Sequence, residues 1–149
     1  MDEHDRQLLK LVQTNSKLSY AELGEGVGLS ISAVNERLKK LQAQGLIRDY
    51  VARLNPAGLG LDLLAFVAVV LSEPVHEPGF LERMAAVPEI QECHHVTGDF
   101  SYLLKVRVKN TSALEKLLKE QLKTIPGLVR TYTTIVLSTA KETTALPIE

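Results

Sequence analysis

Residues 19–45 read SYAELGEGVGLSISAVNERLKKLQAQG, and this stretch decides the first third of the fold. Ser19 with Glu22 three positions later has the spacing of a capping box, in which a hydroxyl and a carboxylate satisfy free N–H groups of a first helical turn. A short helix then carries Ala21, Leu23 and Val27. Gly28 is placed to close it, because glycine takes the left-handed conformation of a helix end without steric cost. Ser30 is the next candidate N-cap, and Ala33, Val34, Leu38 and Leu41 recur at near-helical spacing until Gly45. Two helices joined by a tight glycine turn make a helix-turn-helix, and such a unit lays its second helix in the major groove of double-stranded DNA.

That second helix needs one apolar face and one polar face. Val34, Leu38 and Leu41 supply the first, leaving Ser30, Ser32, Asn35, Glu36, Arg37, Lys39 and Lys40 as candidate DNA-binding residues. Asparagine pairs with adenine through two hydrogen bonds, and lysine or arginine reaches guanine or phosphate. Residues 30–53 hold five basic and two acidic side chains, a local charge of +3, whereas 54–149 carry −2 and the whole chain −1. The total excludes a generally basic, histone-like protein. The asymmetry puts the positive field beside the expected groove-facing helix, where phosphate neutralisation supplies most non-specific affinity.

Working outward, Asp2–Gln13 reads as an amphipathic helix through Leu8, Leu9, Leu11 and Val12, with Asp2, Glu3 and Asp5 at its electropositive start. Downstream the period changes. Leu46–Leu54 reads as extended and 55–58 as a turn. Leu63–Leu71 is an apolar strand, Pro78–Val87 a helix, Ile90–Val96 and Tyr102–Val108 a hairpin around a Gly-Asp turn. Ser112 and Glu115 have capping-box spacing for a further helix towards Thr124, and Leu128–Leu137 is a β-branched strand. The tail 141–149 is left as an added strand or a loose end. The fold class is therefore α+β: a winged-type helix-turn-helix over 1–53, a linker over 54–61, and a ferredoxin-like βαββαβ domain over 62–149.

The chain has 149 residues, 45% of them apolar and 23% charged, which is a soluble globular composition. Its single cysteine, Cys93, excludes a disulfide framework or a cysteine-built zinc site. His94 and His95 are neighbours on a strand, so they point to opposite faces and cannot chelate one ion; no metal or cofactor is expected. The glycines at 24, 26 and 28 follow no strand and lack the lysine of a phosphate loop. No charged-then-apolar leader opens the chain, and the longest apolar run is nine residues, short of the ~20 that cross a membrane. A cytoplasmic, non-enzymatic protein with no membrane partner is expected.

Leu29-Ser30 followed by Val34, Arg37, Leu41, Gly45, Ile47 and Tyr50 resembles the leucine-responsive regulator / asparagine regulator (Lrp/AsnC) family. So do Asp2 and Asp5 ahead of Leu8-Leu9, and, far downstream, Val96–Phe100, Tyr102–Val106, Pro126-Gly127 and Thr131. The resemblance implies a transcription regulator that binds DNA as a homodimer, with dimers assembling towards octamers. It also implies a small-molecule effector, an amino acid, bound between subunits. The corresponding effector residues are His95, Thr97, Gly98, Asp99, Ser101, Tyr102, Thr133, Thr134 and Ile135. A glycine turn exposes N–H groups suited to a carboxylate, and Asp99 suits an ammonium group. Ser101 stands where many members carry Asp, and His95 where an apolar residue is common.

Two alternatives stand beside this reading. An architectural DNA-binding protein without effector would bind DNA salt-sensitively and without sequence preference. A sirohaem-decarboxylase-like enzyme of the same architecture would need histidines and arginines on a tetrapyrrole, for which His76, His94, His95 and Arg107 are the candidates.

Overall fold

Helix α1, Glu3–Thr14, starts at a reciprocal cap: Asp2 accepts from the Asp5 N–H at 2.9 Å and Asp5 accepts from the Asp2 N–H at 3.0 Å. Helix α2, Tyr20–Val27, starts the same way on Ser19 and Glu22 and ends at Gly28, whose φ of 74° is left-handed. Helix α3, Ile31–Ala43, follows after the three-residue break Gly28, Leu29 and Ser30. The turn is tight because the Leu29 N–H returns to the Gly24 carbonyl at 2.9 Å, and a Cβ on Gly24 would collide with the Leu29 carbonyl oxygen. Leu8, Val12, Leu23, Val27, Val34, Leu38, Leu41 and Ile47 fill the core between the three helices. Residues 48–55 form neither helix nor strand.

The second half runs β1 (Leu63–Leu71), α4 (Glu77–Ala86), β2 (Ile90–His95), β3 (Tyr102–Val108), α5 (Thr111–Leu117) and β4 (Leu128–Ile135). The sheet order is β2-β3-β1-β4 with every pair antiparallel, the ferredoxin-like arrangement. Ala65, Val67 and Val69 of β1 and Tyr102, Leu104, Val106 and Val108 of β3 face Phe80 and Met84 of α4 and Leu114 and Leu117 of α5. The intervening residues, Phe66, Ala68 and Val70 of β1 with Leu103 of β3, point to the other face. Apolar side chains on both faces of β1 explain why it reads as an unbroken apolar run.

Three expectations are corrected in detail. The N-cap of α5 is Asn110, not Ser112: the Asn110 side chain accepts from the Ala113 N–H at 2.9 Å, so Ser112 already lies inside the first turn. The helix also widens to a π-turn over Leu118–Leu122, closed by Lys123 N–H to the Leu118 carbonyl at 2.9 Å. The last strand ends at Ile135, two residues early, with one further bond from Val136 N–H to the Leu64 carbonyl at 2.9 Å.

The computed structural model describes residues 1–149 and divides into two compact units, Met1–Arg53 with Lys141–Glu149, and Leu54–Ala140. The expected domain over 62–149 therefore loses its last nine residues to the helical unit. The expected linker 54–61 belongs to the sheet unit and contains a short 3-10 turn, Ala57–Leu59.

Candidate nucleic-acid interface and ligand loop

The helical unit buries Val34, Leu38 and Leu41 of α3 and turns the opposite side outward. Ser32, Glu36, Lys39 and Lys40 are exposed there, and Asn35 is half-buried on the flank. Glu36, Lys39 and Lys40 have no ion-pair or hydrogen-bond partner, so their charges are free for another molecule. Ser30 is occupied as the N-cap of α3: its hydroxyl accepts from the Ala33 N–H at 3.2 Å and touches the Ser32 hydroxyl at 3.3 Å.

Arg37 is placed differently from the two lysines. Its Nη1 lies 2.9 and 2.7 Å from the two oxygens of Asp2 and 2.9 Å from Asp5. The Arg37 hydrogen bond, followed by the Asp5 N–H, lowers the Asp2 pKa to about 2, and the two carboxylates raise that of Arg37. The Nη1 end of the guanidinium is thus spent on the start of α1, tying the first helix to the third. Its charge is matched by two carboxylates, whereas those of Lys39 and Lys40 are not.

The ligand candidates lie in the sheet unit. Thr97–Ser101 join β2 to β3, with Gly98 at φ 101°, a conformation that favours glycine. Asp99 is exposed and without a partner. Ser101 is anchored to the end of β1: its N–H donates to the Val69 carbonyl at 2.8 Å, and its hydroxyl accepts from the Leu71 N–H at 3.3 Å. Leu71 lies where the β1–β4 register shifts, so its N–H finds a side chain in place of a strand partner.

Strand geometry sorts the remaining candidates by face. His95 pairs with Tyr102, and their rings stack with centroids 5.0 Å apart on the helix-covered side. The Tyr102 hydroxyl donates to Glu77, and burial together with that carboxylate pushes its pKa up to about 12. His94 lies on the opposite face, its Nε2 2.8 Å from Glu92, whose other oxygen is 3.3 Å from Lys105. Thr133 pairs with Val67 and Thr134 with Phe66, so these two threonines also occupy opposite faces. Only Thr134 shares the uncovered face. Ser101 is level with Val69 and Thr134 with Phe66; three residues of strand put roughly 10 Å between them. Within one chain the loop and Thr134 do not converge.

Sequence reasoning missed the groups that fix the loop. Phe100 lies under the Arg130 guanidinium, 5.2 Å from ring centroid to carbon, and 6.2 Å from the Tyr132 ring. These contacts dock the turn onto β4. The available signal was an aromatic inside a turn, which has little reason to be there unless a neighbouring strand receives it. The His76 ring lies against Gly127. No helix is long and apolar enough to cross a membrane.

Residues 1–48 match the sequence family described as winged helix-turn-helix DNA-binding, and residues 64–146 match the Lrp/AsnC ligand binding domain. The leucine-responsive regulatory protein of Salmonella typhimurium is 41% identical over 153 residues, covering 100% of this chain and 92% of that protein. Among solved structures, a transcriptional regulator of Neisseria meningitidis in complex with L-methionine superposes with a TM-score of 0.95 at 32% identity, over 99% of this chain and 96% of the other. The feast or famine regulatory protein of M. tuberculosis complexed with L-methionine gives 0.91 at 34%, over 99% of each chain.

Proposed function

We propose a division of labour for this chain, which belongs to the Lrp/AsnC family of transcription regulators: Lys39 and Lys40 with Ser32, Asn35 and Glu36 read DNA, and the loop Thr97–Ser101 takes an amino acid. The family supplies the frame, a winged helix-turn-helix described as DNA-binding and a domain described as ligand binding. The observation that carries the assignment is the outward face of α3, where two lysines stand without counter-ions while Arg37 is committed to Asp2 and Asp5. Unpaired lysines are the groups that release counterions from DNA on binding.

On the sheet, Asp99 would accept from the ammonium group, and the N–H groups around Gly98 would hold the carboxylate. L-methionine is the first ligand to try, because two structurally similar regulators hold it. Thr134 lies too far along β4 to join the loop of its own chain, which suits a site completed by a second copy. The uncovered face, with Phe66, Ala68, Val70, Leu103 and the exposed Tyr132, suits a sheet-to-sheet homodimer in the cytoplasm, and larger rings of dimers follow the family pattern.

Selection of duplexes from a random pool, followed by titration against salt, tests the DNA assignment. Replacing Lys39 by Ala should weaken binding and flatten the salt slope by about one. An unchanged slope removes Lys39 from the phosphates. Thermal unfolding against the twenty amino acids tests the ligand; at about 100 times its dissociation constant a binder adds roughly 2.7 kcal/mol. A shift that survives Asp99→Ala would move the site away from the loop.

A further inference from the structure

Gln13, in the last turn of α1, makes two hydrogen bonds to one residue far along the chain. Its Nε2 donates to the Leu146 carbonyl at 2.9 Å, and its Oε1 accepts from the Leu146 N–H at 2.9 Å. One side-chain amide thereby satisfies both backbone groups of Leu146, as a neighbouring strand would. Arg53 adds an ion pair to Glu142 at 3.0 Å. Ile148 is half-buried although the rest of 141–149 is exposed. Gln13 and Leu146 are 133 positions apart, so ordering this segment has an entropic cost that its contacts offset.

We propose that residues 141–149 are a strap on the DNA-reading unit, fastened by the positioning residue Gln13, and that the strap narrows the orientations this unit can take. The chain leaves the helical unit after Arg53 and re-enters it at Lys141, so the two units are joined by two crossings of the polypeptide. A unit tethered once swivels about its linker, here one that contains Gly58 and Gly60. A second tether removes part of that freedom before DNA arrives, and preorganisation of this kind lowers the cost of binding. The benefit is specific to duplexes with two half-sites, because only these require two recognition helices at a fixed spacing. The second crossing also runs directly from β4 through 136–140, so a ligand that shifts β4 acts on the strap along the chain itself. The inference rests on the DNA-binding reading above.

The test uses the full chain with Gln13→Ala and, separately, Glu142→Gln. Hydrogen exchange read by mass spectrometry should show 141–149 exchanging roughly tenfold faster in Gln13→Ala, with β1 and β3 unchanged. Equal rates in the variant and the unaltered chain overturn the strap. A duplex selected from a random pool by the unaltered chain is then compared with the same duplex cut to one half-site. Gln13→Ala should weaken binding to the two-half-site duplex about fivefold and leave the single half-site within about twofold. The salt slope should not change, since Gln13 carries no charge. Equal losses on both duplexes overturn the orientational role and make Gln13 a fold residue or a DNA contact. Glu142→Gln should act in the same direction, more weakly, as an exposed ion pair does. If the unaltered chain retains no duplex, the DNA-binding reading fails, while the exchange result still decides whether the strap is fastened.

Discussion

The expected DNA-facing residues all hang from one continuous helix, α3, or in the case of Ser30 cap it, whereas the expected ligand residues are spread over the β2–β3 hairpin and β4. A single helix turns its side chains through a fixed angle, so the apolar positions Val34, Leu38 and Leu41 also fix where Ser32, Glu36 and Lys39 point. A site on a sheet depends on register between segments remote in sequence. His94 and His95, like Thr133 and Thr134, are neighbours in the chain and strangers in space. Helical periodicity therefore delivers a face from sequence alone, and a strand site needs the pairing as well.

The comparison can be broken first at its glycines. Gly24 is limited by space and Gly98 by conformation. Gly24→Ala should drive a methyl into the Leu29 backbone and destabilise the helical unit by about 3 kcal/mol, the upper end of overpacking effects. Gly98→Ala has open space around it and should cost only about 1 kcal/mol for its left-handed backbone. Thermal unfolding of both variants checks the order; a Gly98 effect as large as that of Gly24 would mean the loop is as tightly held as the helical turn.

Next comes the contrast within α3. Arg37→Gln should weaken DNA binding without changing the salt slope, whereas Lys39→Ala changes the slope. Asp2→Asn sharpens this further. It removes a negative charge and so should help DNA binding by simple electrostatics, yet it should weaken binding because it loosens Arg37. Tighter binding by Asp2→Asn would place Arg37 on the phosphates.

The same contact gives a pH dependence. The folded pKa of Asp2, about 2, lies below its ordinary 3.8. The contribution of the ion pair is therefore complete above 3.8 and is lost as pH falls through 2. Circular dichroism of the chain between pH 5 and 2 should show helix loss reduced in Asp2→Asn relative to the unaltered protein. Identical acid profiles would remove Asp2 from the linkage.

The last test falls on Ser101. Ser101→Ala leaves the Leu71 N–H without its side-chain acceptor and should cost about 1 kcal/mol. Ser101→Asp should restore most of it. Urea unfolding of the two variants decides whether the hydroxyl works as an acceptor.

How much of this was legible follows from the same geometry. The bounds of β1 and β3 match the sequence reading, because one is an unbroken apolar run and the other alternates strictly. The capping box expected at Ser19 forms, but the one at Ser112 does not, since the helix already starts at Asn110; Asp2, expected inside its helix, is instead an N-cap with a reciprocal box of its own. Arg37 was grouped with the lysines on charge alone; its ion pairs join residues 32 and 35 positions apart, which no local pattern encodes. The docking of Phe100 on Arg130 and of 141–149 on Gln13 was hidden for the same reason.

Ser101 has a consequence for how such a loop diversifies. The strand end at Leu71 asks position 101 only for a hydrogen-bond acceptor, and a hydroxyl or a carboxylate fills that need. A change between serine and aspartate at this position therefore alters the charge of the loop by one unit while the sheet keeps its bond. If the loop takes the ligand as proposed, its charge at position 101 and the strength of the strand end are separable.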